Sequence, residues 1–203
     1  NLSIHLKKNQ DRGYEDISLF EIGPTFFGKN PGEQQIVVGA LKSGKMIRKS
    51  WIEKDRDIDV FDIKSDVVKS LIELGVSSND LFVSNNTKSY YHPGRSGSIT
   101  LKSEKGPYLA YFGEIHPAIV KKLDFKVPNI YGLEIFLKNL PEPNKKIRQT
   151  KQNFKPSDFQ KSERDIAFII DKIFKVGLLE KIIRDIDSSI IQEVITFDVY
   201  DGA

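Results

Sequence analysis

The chain has 203 residues, 31 Lys and Arg against 28 Asp and Glu, a formal charge of +3, and 39% hydrophobic residues, which describes a folded polypeptide of one large or two small domains and argues against disorder. The absence of cysteine excludes disulfides, thiolate metal ligands and cysteine nucleophiles together. No apolar run approaches the roughly 18 residues needed to cross a bilayer, and no signal-peptide pattern opens the chain; a cytoplasmic location, with which the lack of cysteine is compatible, is expected.

Leu2 and Leu6, spaced i, i+4, predict a helix over 2–12 closed at Arg12-Gly13. Short strands are predicted at 17–22, around Phe26-Phe27 and at 35–42, with the loop Lys29-Asn30-Pro31-Gly32-Glu33 before the last. Val67, Leu71 and Leu74, with Val68 and Ile72 beside them, trace a helical face over 64–75 ending at Gly75. Further strands are predicted at 80–84, 97–103, 107–114 and 130–138, with a short helix opening at Pro117, the favoured first position. Many strands, tight loops and few helices predict an α+β layout: a largely antiparallel sheet with flanking helices.

The pattern breaks into prolines and charges over 140–153, the best domain boundary in the chain. Residues 1–139 and 154–203 are therefore expected to be separate domains. In the second, a strand at 164–171, a helix at 175–187 with the stripe Val176, Leu179, Ile183 and Ile186, and a strand at 190–200 are predicted. On that last strand Ile195, Phe197 and Val199 alternate with Thr196, Asp198 and Tyr200, giving one covered and one open face. Three elements bury too little to stand alone, and the chain stops at the turn signal Asp201-Gly202 with its only methionine at Met46. A piece of a longer protein is expected. Seven basic residues between Lys145 and Arg164 face only Asp158 and Glu163, an excess suited to phosphates or to a solvated linker.

Chemical motifs are sparse. Neither glycine-rich nucleotide signature occurs. His5, His92 and His116 lack metal-ligand spacing, and the last two precede proline, which predicts structured turns with the imidazole bonded to main chain. A hydrolase built on His92 with Ser96 or Ser98 has no nucleophile elbow behind it. Asp57, Asp59 and Asp62 offer oxygen ligands to a hard cation, but Asp62 and Asp66 suit a helix N-terminus better. Trp51 and Phe26-Phe27 are expected in the core.

Six strings in register carry a resemblance. They are Leu19-Phe20-Glu21-Ile22-Gly23 with Phe26-Phe27, Phe61-Asp62-Ile63-Lys64, His92-Pro93-Gly94-Arg95-Ser96, Phe112-Gly113-Glu114-Ile115-His116-Pro117, Glu163-Arg164-Asp165-Ile166-Ala167 and Phe197-Asp198-Val199-Tyr200-Asp201-Gly202. Together they resemble the β subunit of bacterial phenylalanine–tRNA ligase over nearly the whole chain. Ser65 departs from the family's usual glycine and Gly97 from its usual alanine.

The resemblance implies a class II synthetase-like antiparallel sheet with flanking helices in 1–139, followed by the N-terminal part of a ferredoxin-like anticodon-binding domain in 154–203. It implies no catalytic and no metal residue here, because the strand that should carry an ATP-clamping arginine reads Leu19-Phe20-Glu21-Ile22-Gly23. In the family, ATP and Mg are used by the holoenzyme, the catalytic partner is the α subunit of an α2β2 assembly, and the nucleic-acid partner is tRNA(Phe). Arg164, Asp198 and Tyr200 are the candidate tRNA contacts, suited to phosphate, base edge and base stacking respectively. A free-standing RNA-binding module descended from a synthetase is the alternative.

Overall fold

The computed structural model describes residues 1–142 and 159–200, and the chain divides into two compact units, Asn1–Gln152 and Asn153–Ala203. The first is built on six antiparallel strands in the order β1-β2-β8-β7-β6-β5. These are β1 (Ile17–Phe26), β2 (Gln34–Ser43), β5 (Leu81–Ser84), β6 (Tyr91–Leu101), β7 (Tyr108–Ile115) and β8 (Ile130–Phe136). A small hairpin of β3 (Lys45–Ile47) and β4 (Arg56–Asp57) stands apart. The helices are α1 (Leu2–Asp11), α2 (Val60–Glu73) and α3 (Pro117–Lys122).

Period-two alternation sorts the sheet into two faces. Along β8, Leu133 and Ile135 join Ile99, Phe112 and the α2 stripe Ile63, Val67 and Leu71 in the larger core. Ile130 on the opposite face packs with Leu6 of α1, Ile17 and Val120 of α3 in a second, smaller core. Burying α2's three fully covered side chains contributes about 1.5–3 kcal/mol each.

The start of α2 lies earlier than apolar spacing alone indicates, because Asp59 caps it. Asp59 Oδ1 accepts from the amides of Phe61 (2.8 Å) and Asp62 (3.0 Å), and Asp62 Oδ2 accepts from the Asp59 amide (2.9 Å), a reciprocal capping box. The helix stops where Gly75 takes a φ of +94°, open to glycine without penalty. The strand predicted at 17–22 and the piece around Phe26-Phe27 are one strand. Pro24 interrupts the sequence pattern but not β1, which is the sheet's edge and leaves one row of donors unused. β3 and β4, at three and two residues, are too short to show any period. The His92-Pro93-Gly94-Arg95 segment lies inside β6, accommodated by a register shift between Tyr91 and Ser96.

In the second unit α4 (Val176–Ile186) forms over the predicted stretch. The strands predicted at 164–171 and 190–200 are corrected: neither segment has a ladder partner among the described residues, and a strand exists only by its pairing. Ile195, Phe197 and Val199 are accordingly exposed rather than covered. Asp201-Gly202 and the linker beyond Glu142 lie outside the described residues.

Candidate functional site

The face of the sheet opposite α2 is open at its β1–β2 hairpin end, where a cavity of about 390 Å³ is lined by Thr25, Gln35, Val37, Tyr90, Tyr111 and Glu134, among others. Register builds it. Tyr111 of β7 lies opposite Glu134 of β8, and Val37 of β2 opposite Phe136 of β8. The Tyr111 ring stacks on Tyr108 at 5.1 Å and meets Phe136 edge-on at 5.5 Å. Lys88 Nζ stands 5.4 Å over the Tyr111 ring, within reach of its π face.

Tyr90 Oη donates to Glu134 Oε2. Burial first, then the Glu134 hydrogen bond, pushes the Tyr90 phenol well above its ordinary range. Burial, then Tyr108 and Glu134, raises Tyr111 likewise. Both phenols stay neutral donors at any physiological pH. The floor is aromatic, with a carboxylate as its anionic group and one lysine engaged on a ring, so a triphosphate would meet Glu134 before it met a guanidinium. This constellation is invisible in sequence, because only the pairing register brings Tyr111 and Glu134 together.

The other sequence candidates resolve into structural roles. His92 Nδ1 accepts from the Gly94 amide (3.0 Å) and His116 Nδ1 from the Ala118 amide (3.2 Å), the main-chain bonds expected of both. Ser96 Oγ donates to the His92 carbonyl rather than to its ring, so no serine–histidine pair forms. Arg95 forks onto the buried Glu114, with Nη2 to Oε1 at 2.8 Å. Asp57 pairs with Lys45 (2.7 Å), and Asp59 and Asp62 with Arg56 (3.2 and 2.8 Å), which consumes the carboxylates considered for a cation.

The core placement expected for Trp51 and Phe26-Phe27 is corrected. Trp51 is 93% exposed and Phe26 71%, with Phe27 similarly open. Trp51 sits at a hairpin tip that no described residue covers. Phe26 and Phe27 lie at the end of the edge strand, beyond the reach of α2, which packs on β7 and β8.

In the second unit Arg164, Asp198 and Tyr200 are all exposed. Arg164 Nη1 donates to the Glu163 carbonyl (2.8 Å). Among the described residues no hydrogen bond joins the three. Of the basic run, Lys161 pairs with Glu163 (2.8 Å), while Lys145, Lys146, Arg148, Lys151 and Lys155 lie outside the described residues. No described helix is long and apolar enough to cross a membrane.

Fold and face define a class: a mixed α/β domain on an antiparallel sheet, followed in the same chain by a second small unit. Residues 1–137 match the family described as the phenylalanyl tRNA synthetase beta chain CLM domain, and the chain belongs to that family. Residues 157–203 match the ferredoxin-fold anticodon binding domain. The phenylalanine–tRNA ligase beta subunit of Rhodospirillum rubrum is 39% identical over 202 residues, and that of Paramagnetospirillum magneticum 36%. Each alignment covers 100% of this chain and 25% of the relative, so the chain spans about a quarter of their length. A solved pyrrolysyl tRNA synthetase from Desulfitobacterium hafniense superposes with a TM-score of 0.46 at 13% identity, over 68% of this chain and 46% of that one.

Proposed function

We propose that this chain is a non-catalytic segment of a phenylalanine–tRNA ligase β subunit, holding a catalytic α subunit in an α2β2 assembly and contributing to recognition of tRNA(Phe). In this reading residues 1–139 are an inactive class II synthetase-like domain, 140–153 a linker and 154–203 the beginning of the anticodon-binding domain. ATP and Mg belong to the holoenzyme, working in the cytoplasm. Arg164 supplies a phosphate contact, Asp198 an acceptor for a base edge and Tyr200 a ring for stacking.

One observation carries the non-catalytic half. β1 presents Leu19-Phe20-Glu21-Ile22-Gly23 beside an open face whose anionic group is Glu134 and whose walls are tyrosines and phenylalanine. Transfer to an ATP α-phosphate develops negative charge that needs preplaced cations, and this face has no arginine in its lining and one lysine, Lys88, held over the Tyr111 ring beside Glu134. The β-subunit relatives and the anticodon-binding match support the tRNA half.

The purified chain is expected to give no phenylalanine-dependent ATP–pyrophosphate exchange, and exchange to return only when an α subunit is supplied. Exchange by the chain alone would end the reading.

A further inference from the structure

Beyond the second unit, a separate feature on the first unit fits RNA. β3 and β4 carry an exposed loop, Arg48-Lys49-Ser50-Trp51-Ile52-Glu53-Lys54-Asp55, with the Trp51 ring open to solvent. A large ring is costly to leave bare, and this one is held in place from below. Ser50 Oγ accepts from the Glu53 amide (3.0 Å) and Ile52 amide (3.3 Å), and the Ser50 amide donates to the Glu53 carbonyl (3.1 Å). At the base, Asp16 accepts from the Lys45 amide (2.8 Å) and from Arg48 Nε (2.7 Å), while Lys45 Nζ bridges Asp55 (2.9 Å) and Asp57 (2.7 Å).

Charge is segregated along the hairpin. The carboxylates Asp16, Asp55 and Asp57 are spent at the base on Arg48 and Lys45. Lys49 and Lys54, two residues before and three after Trp51, have no ion pair among the described residues, against the single carboxylate Glu53 between them. An exposed ring on a hydrogen-bonded turn, flanked by cations without an ion pair among the described residues, is an arrangement that can stack a base and hold its neighbouring phosphates.

We propose that the 44–58 hairpin is an RNA contact of its own, in which Trp51 stacks on an unpaired base and Lys49 and Lys54 meet the adjoining phosphates. The proposal rests on the tRNA reading above and adds a surface outside the anticodon-binding unit. A protein partner would use the same ring with Ile52 and Met46 and would need carboxylates of its own opposite Lys49 and Lys54.

Trp51 is the chain's one tryptophan, so emission excited at the red edge of the absorption band, where the seven tyrosines do not absorb, reports on this hairpin alone. The test titrates the chain with an unmodified tRNA(Phe) transcript at low salt and follows Trp51 emission and its accessibility to acrylamide. Anisotropy of labelled transcript measures total binding in parallel. Emission is expected to be quenched and the ring protected as RNA binds. Trp51→Ala should weaken binding roughly tenfold or more and Trp51→Phe much less. Lys49→Ala with Lys54→Ala should flatten the logarithmic salt dependence by about 1.4. All three positions are exposed, so the variants keep the fold, checked by circular dichroism. Transcript binding with Trp51 emission and accessibility unchanged overturns the hairpin contact and leaves the tRNA reading standing. No binding by either measure overturns the hairpin contact as well.

Discussion

Arg56 ties the acidic cluster to the mouth of α2. Its Nη1 and Nη2 fork onto Asp62 at 2.8 Å each, with a third bond to Asp59 at 3.2 Å. That guanidinium holds the Asp62 carboxyl below the ordinary carboxylate range against the opposing pull of burial, with the Asp59 amide adding to it. A folded-state value below the unfolded one, about 3.9, gives stability that is fully present above that pH. It is lost as pH falls through the depressed folded value. Asp62→Asn keeps the shape and removes the charge. We expect it to cost about 1–2 kcal/mol at neutral pH in urea denaturation, a gap that closes below about pH 4. A gap constant down to pH 2 would mean that the amide loses geometry rather than charge. Asp59→Ala, which removes the cap itself, should cost about 1 kcal/mol.

At the scale of elements, β7 depends on one backbone position. Gly113 has a φ of +149°, and a Cβ there would lie 2.2 Å from Ser96 Cβ and 2.5 Å from its Cα. Gly113→Ala is expected to destabilise by about 2 kcal/mol or more, read as a lower denaturation midpoint with an unchanged slope. Gly97 is tight for a different reason: an added Cβ would meet the Ser84 carbonyl at 2.8 Å and Phe112 Cζ at 3.0 Å. These elements also mark how far sequence reading reaches. The α2 stripe of Val67 and Leu71 was legible because a 3.6-residue period and a terminal glycine need no partner to be seen. The alternation in β7 and β8 gave two strands, but not that Tyr111 faces Glu134, which depends on which strands pair and in what register. The β3–β4 hairpin was missed altogether, since its order comes from Lys45 and Arg48 reaching carboxylates up to 32 residues away. Trp51 and Phe26 were misplaced because apolarity argues for burial without saying which face runs out of cover.

Across the whole molecule, the two units differ in where their apolar side chains go. In the first, β8 is bonded on both sides by β2 and β7, and Ile130, Leu133 and Ile135 are buried. In the second, Ile166, Ile169, Ile173, Phe197 and Val199 are exposed, and neither segment flanking α4 has a ladder partner among the described residues. Apolar side chains in that number are not solvent-facing by preference, since each forgoes about 1.5–3 kcal/mol of burial. The alternation Ile195, Phe197, Val199 remains a strand's pattern without a strand's pairing. Hydrogen exchange separates pattern from pairing, because a ladder amide exchanges only when its bond opens. For the 203-residue chain we expect the amides of β7 and β8 to be strongly protected and those of 164–171 and 190–200 to exchange near the free-peptide rate. α4, with Thr196 Oγ1 donating to Glu180 (2.8 Å) as its tie to the following segment, should fall between. Strong protection at 164–171 in the isolated chain would show that the segment pairs without further sequence, whereas protection gained only within a full-length β subunit would show that the missing cover is supplied there.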